Sequence, residues 1–164
     1  IFDKLMEAGK EFNVKPYGIR AMNSLRVEKS YKLVGTELSI EYSPYESDLD
    51  RFVHPNKGDF IGRAALDKWR AKGFSNKLVT MEIHGVTDAD VLGNNPIYSD
   101  GKVVGRATGG DCGFRLNKSI ALGMVKSELA KVGQKLEIDI LGKMHKASIV
   151  ADSPYDSENK LLRS

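Results

Sequence analysis

Disulfides, metal clusters and membrane-spanning helices all find little support in this chain, because the residues that would build them are scarce. Cys112 is the sole cysteine of 164 residues, so no intrachain disulfide can form, and a reducing compartment or a free thiol follows. His54, His84 and His145 have no ligand-like spacing to one another or to Cys112, which argues against a zinc site and leaves no metal ligands to name. Apolar runs stop after a few residues, as at 120–125, too short for a helix to cross a bilayer, so no membrane partner is expected. Charge of one sign is not in excess either: 25 Lys and Arg against 22 Asp and Glu leave a net +3 spread along the sequence. Nucleic-acid binding needs a clustered basic patch, and Tyr98 and Phe114 are too sparse to add a stacking platform, so no nucleic-acid partner is expected. The chain begins at Ile1 with no signal or transit pattern, and the expectation is the C-terminal piece of a longer polypeptide.

What the chain does have is 41% hydrophobic residues, enough for one good core or two small ones. The most informative stretch is Gly18-Ile-Arg-Ala-Met-Asn-Ser-Leu-Arg-Val-Glu28, which reads as a helix. At about 100° per residue, Ile19, Met22, Leu25 and Leu33 share one side, and Arg26 falls inside that apolar arc. A guanidinium keeps its charge at ordinary pH, so a buried Arg26 needs an anionic or acceptor partner. Glu28 lies roughly opposite and is expected to make a modest surface pair with Lys32 at i+4.

Before this helix, residues 2–12 predict a short amphipathic helix with Phe2, Leu5, Met6 and Phe12 as its stripe, and Pro16-Tyr17-Gly18 resets the backbone. After it, residues 42–47 are rich in turn formers. Asp59 is a plausible N-cap for a helix reaching about Gly73, on which Ile61, Ala65 and Trp69 recur.

From Leu78 the period changes to two. Val79, Met81 and Ile83 alternate with Thr80, Glu82 and His84, the pattern of a half-buried strand. Asp100-Gly101 predicts a hairpin within 97–104, since both residues tolerate positive φ. Further strands are expected at 119–125, 135–141 and 145–150, with Gly142-Lys143 as the last turn, which suggests a small antiparallel barrel or sandwich. The run Gly105-Arg-Ala-Thr-Gly-Gly-Asp-Cys-Gly113 has neither dinucleotide nor Walker spacing and reads as a barrel corner or bulge. Cys112 within it has no base or helix N-terminus to activate it, and reads as a packed or incidental thiol.

Several blocks carry a family likeness: Pro16-Tyr-Gly-Ile-Arg-Ala-Met-Asn-Ser-Leu-Arg-Val-Glu-Lys29, Lys57-Gly-Asp-Phe-Ile-Gly-Arg-Ala-Ala-Leu66, Gly93-Asn-Asn-Pro-Ile-Tyr-Ser-Asp-Gly-Lys-Val-Val-Gly-Arg106, Lys118-Ser-Ile-Ala-Leu-Gly123 and the tail Pro154-Tyr-Asp-Ser-Glu-Asn-Lys-Leu-Leu-Arg163. With these blocks in order along nearly its whole length, the chain resembles the C-terminal part of the folate-dependent aminomethyltransferase family, the glycine cleavage T-proteins and their relatives. Within it the likeness is greatest to the folate domain of dimethylglycine and sarcosine dehydrogenases. Val34 stands where glycine cleavage T-proteins usually carry an aromatic residue, which leans away from a plain T-protein. Asp59 and Arg63 stand where a related iron-sulfur assembly branch carries cysteine and glutamine, which weighs against that branch.

The resemblance implies an α+β fold, the end of an α+β folate-binding domain followed by a small antiparallel β-barrel. It divides the chain into residues 1–54 of the folate-binding domain, a connecting helix over 55–74, and a barrel domain with a polar tail over 75–164. The implied cofactor is tetrahydrofolate, with FAD possible in an N-terminal domain, and the implied product is 5,10-methylenetetrahydrofolate. Arg26, the arginine of the Ser-Leu-Arg-x-Glu motif, is the one cofactor-binding residue carried over. The family's catalytic aspartate and pterin-holding tyrosine and glutamate precede Ile1, so no catalytic residue is assigned and the piece is not expected to turn over substrate alone. Implied partners are the folate, a methylamine substrate and the remainder of the parent polypeptide, in bacterial cytoplasm or mitochondrial matrix. The alternatives are a free-standing aminomethyltransferase and a non-catalytic folate-binding scaffold.

Overall fold

A computed structural model describes residues 1–86 and 88–164. Among the described residues, three α-helices precede the sheet: α1 (Phe2–Ala8), α2 (Ile19–Glu28) and α3 (Arg63–Lys72). The strands are β1 (Asn76–Ile83), β2 (Pro96–Ser99), β3 (Lys102–Gly113), β4 (Lys118–Lys126), β5 (Lys135–Ile140) and β6 (Lys143–Val150). They close into a barrel in the order β1-β4-β3-β2-β5-β6, with every pair antiparallel. The fold is therefore α+β, and of the two all-β shapes left open by the strand pattern, the barrel is the one formed.

The barrel interior follows from the twofold pattern. Val79, Met81 and Ile83 of β1 and Leu136, Ile138 and Ile140 of β5 point inward and meet Ile97, Val125 and Ile149. Full burial of such a side chain stabilises the fold by roughly 1.5–3 kcal/mol. Gly105 and Gly123 let the strands approach this closely: a Cβ on Gly105 would sit 2.2 Å from the Met124 carbonyl oxygen, and one on Gly123 would sit 2.8 Å from Ile97 Cδ1. The Asp100-Gly101 turn forms as expected, with φ of 49° and 71°.

Several expectations shift. The last turn is Leu141-Gly142, both at positive φ, one residue earlier than Gly142-Lys143. The glycine-rich run makes no corner; it stays within β3, where the register against β4 slips between Ala107 and Gly109, so the bulge reading holds. Asp59 does not cap α3. Gly62, at φ 91°, occupies the N-cap, and the Asp59 carboxylate instead accepts the Phe60 N–H at 3.1 Å. The Ile61 stripe fails accordingly, because Ile61 is fully exposed and α3 has no buried residue. Helix α1 is shorter than expected, a 3₁₀ turn covering Lys10–Phe12, and Phe2, Leu5 and Phe12 are exposed.

Helix α2 docks on β3 by a face that apolar periodicity does not reveal. Ile19 is 78% exposed and Leu25 is also exposed, while Ser24, Arg26, Val27 and Glu28 are buried; Leu33 lies beyond the helix end. The reason is the chemistry of the opposing strand. Glycine-rich β3 offers backbone, so the helix meets it with hydrogen bonds: Asn23 Nδ2 donates to Gly110 O at 3.1 Å and Asp111 Oδ2 at 2.8 Å, and Ser24 Oγ donates to Cys112 O at 2.5 Å.

The tail returns to the same helix. Lys29 Nζ donates to Tyr155 O, Asp156 O and Asn159 Oδ1 at 3.2, 2.6 and 2.8 Å, and the Tyr155 N–H donates to Glu28 O at 3.0 Å.

Candidate functional site

Arg26 sits on the last turn of α2, with a side chain only 8% exposed. Its Nε donates to Asn23 Oδ1 at 2.8 Å, one helical turn back, and its Nη1 donates to Tyr31 O at 3.0 Å and to Glu37 Oε2 at 3.3 Å. The anionic partner that Arg26 requires is thus present within the chain. Nη2 has no hydrogen-bond partner among the described residues and lies beside the β3 bulge, 3.5 Å from where a Cβ on Gly109 would stand.

Glu37 is fully buried and collects donors from three segments. Its carboxylate accepts the Leu33 N–H at 2.9 Å, Thr36 Oγ1 at 2.7 Å and, from β3, Thr108 Oγ1 at 2.6 Å. Burial alone would raise its pKa, but these hydrogen bonds and the Arg26 charge outweigh it and hold the carboxyl below its ordinary range. Arg26, Asn23, Glu37 and Thr108 therefore form one network that joins α2, the loop after it and the barrel. Arg26 was legible in sequence; Glu37, eleven residues on, and Thr108 were not, because nothing local marks a long-range hydrogen-bond partner.

Glu28 also departs from expectation. It does not pair with Lys32; it is buried, and its Oε1 accepts the backbone N–H groups of Arg115 and Leu116 at 2.7 and 3.3 Å. Lys32 instead bridges Asp48 and Asp152 at 3.2 and 3.8 Å, on the wall of a cleft of about 580 Å³. Burial raises the Asp152 carboxyl above its usual range, and Asp48 beside it adds to the shift.

A smaller cleft of about 210 Å³ lies between the loop at Gly35 and Thr36 and the middle of β3. Arg106 closes one side of it, donating to Glu41, to Tyr42 and, at 3.0 Å, to Asn94 Oδ1. Cys112 is a free, half-buried thiol whose pKa is pushed up by burial and by the nearby Asp90, Asp111 and Glu28 carboxylates.

The profile of the glycine cleavage T-protein C-terminal barrel domain matches residues 76–156, and that of the GCVT N-terminal domain matches residues 1–57. The chain belongs to the glycine cleavage T-protein family. Among its relatives are human mitochondrial dimethylglycine dehydrogenase, 39% identical over 93% of this chain and 18% of that protein, and the aminomethyltransferase of Synechocystis, 39% identical over 90% of this chain and 39% of that protein. The chain thus spans less than half the length of either relative. The crystal structure of glycine cleavage system aminomethyltransferase T from Bartonella henselae shares the fold, with a TM-score of 0.80 over 88% of this chain and 40% of that one at 22% identity. Among the described residues, no helix is long and apolar enough to cross a membrane.

Proposed function

We propose that this chain supplies part of the reduced-folate site of a tetrahydrofolate-dependent one-carbon enzyme of the dimethylglycine or sarcosine dehydrogenase type. Family membership supports the reading, and Arg26 carries it: three of its donor contacts are made internally, while Nη2 has no hydrogen-bond partner among the described residues and the side chain keeps 8% of its surface exposed. A forked donor of this kind fits a carboxylate or a polar pterin edge. Since Glu37 already balances the charge, a folate is not needed to neutralise Arg26; it would complete the hydrogen bonding of the remaining edge. Bound tetrahydrofolate supplies the nitrogens that capture a one-carbon unit as 5,10-methylenetetrahydrofolate.

This chain's own part is to bind and orient. Capture beside the point of release limits hydrolysis of a reactive iminium, an advantage of proximity and water exclusion. The methylamine substrate, and FAD if the parent enzyme carries one, are assigned to the remainder of the polypeptide, since the glycine-rich run here is barrel strand. Exposed Val34 and Ile40, which line one shallow cleft with Leu38 and Pro44, offer that remainder an apolar face to cover. The matched aminomethyltransferases favour a second reading, a free-standing transferase. The mitochondrial and bacterial relatives support a matrix or bacterial cytoplasmic setting.

Titration of the full-length protein with 5-formyltetrahydrofolate, a stable reduced folate, tests the reading. Saturable binding that weakens about 10–100-fold in Arg26→Ala is expected, the range for one or two hydrogen bonds to a charged group. Unchanged affinity would remove Arg26 from the site.

A further inference from the structure

Arg26 can present Nη2 to a ligand only if the other side of its guanidinium is fixed and nothing lies over the free edge. Residues outside the motif that carries Arg26 meet the first condition and, for the second, leave only a glycine beside the free edge. Glu37 is fully buried, binds Nη1 and is itself held by Leu33, Thr36 and Thr108. Because the Thr108 hydroxyl belongs to β3, Glu37 ties the guanidinium to the barrel as well as to the helix. The register slip at Ala107 and Gly109 then places a residue without a side chain next to Nη2. A Cβ on Gly109 would meet no heavy atom within 4 Å except Nη2 at 3.5 Å, apart from its chain neighbours and among the described residues. Sterics within the fold therefore do not require glycine at this position, in contrast to Gly105 and Gly110, where a Cβ would collide with backbone.

We propose that Glu37 is a positioning residue for Arg26, and that Gly109 is the gap through which the Arg26 Nη2 edge reaches an acceptor oxygen of the reduced folate. The proposal rests on the folate reading given above. Glu37 does not touch the ligand; it fixes the plane and direction of the group that does. Gly109 sets what can approach, since any larger side chain there covers the donor edge.

The test uses the full-length protein, with affinity for 5-formyltetrahydrofolate measured by calorimetry and melting temperature by circular dichroism. Gly109→Leu is expected to weaken binding at least tenfold with a melting temperature within a few degrees of the parent, and Gly109→Ala to fall between. Glu37→Gln is expected to weaken binding more than Glu28→Gln does. Glu28 is an equally buried carboxylate of the same junction that does not face Arg26, so its loss reports the structural cost alone. If the parent protein binds no reduced folate, the folate reading fails and the proposal falls with it. If the parent binds and Arg26→Ala does not, while Glu37→Gln and Gly109→Leu bind as the parent does, the folate reading stands and the proposal is overturned. A Glu37→Gln loss no larger than that of Glu28→Gln likewise overturns the positioning role.

Discussion

Glu28 Oε1 accepts the Arg115 backbone N–H at 2.7 Å, which pins the C-terminal turn of α2 to the connection between β3 and β4. A buried carboxylate that serves backbone donors leaves them unsatisfied when it is removed, at a cost of roughly 1–3 kcal/mol. Glu28→Ala should therefore lower the melting temperature by about 2–12 °C, at about 2–4 °C per kcal/mol for a chain of this size. Thermal unfolding followed by circular dichroism checks it.

Glycines of β3 should differ sharply in tolerance. Gly105→Ala drives a Cβ to 2.2 Å from Met124 O and 2.9 Å from Val125 Cα, which forces the strands apart and costs about 1–3 kcal/mol or more. Gly109→Ala makes only an ordinary contact and should stay within about 0.5 kcal/mol. Urea unfolding of the two variants gives the comparison.

Acid should weaken the network at Arg26. The carboxyl of Glu37 lies below its ordinary value in the folded state, so its contribution is present above the unfolded pKa of about 4.3 and is lost as pH falls through the folded value. Glu37→Gln should be less stable than the parent at neutral pH and lose less on acidification. Asp152 has the opposite sign: its raised folded value means that stability is lost as pH rises from the unfolded value of about 3.9 through the folded one. Asp152→Asn should flatten that part of the curve. Urea midpoints between pH 3 and 7, on the order of the range these groups span, separate the two effects.

The Cys112 thiol should be slow. Burial and three nearby carboxylates raise its pKa above the ordinary thiol value, and the thiolate is the reactive form. Alkylation by iodoacetamide at neutral pH should run below the rate of free cysteine; a faster rate would contradict the assignment of a passive thiol.

How much of this was legible in the sequence depended on whether a residue's partner is local. The inward faces of β1 and β5 and the Asp100-Gly101 hairpin could be read directly, because alternation and turn chemistry are properties of a few consecutive residues. Arg26 was correctly read as a buried cation that needs an acceptor. The buried face of α2 was misjudged, since its partner is exposed strand backbone, which rewards Asn23, Ser24 and Glu28 over Ile19 and Leu25. Glu37 carried no signal, and Gly109 none beyond its place in a run read as a corner or bulge. Their meaning comes from loop and bulge geometry that brings positions 26, 37 and 109 together.

The most direct measurement is the structure of the full-length protein with a reduced folate bound, read at a single atom. A separation of about 3 Å between Arg26 Nη2 and a folate oxygen, with Nη1 still on Glu37, is the predicted result. A folate bound elsewhere, with Nη2 facing only solvent, would contradict it.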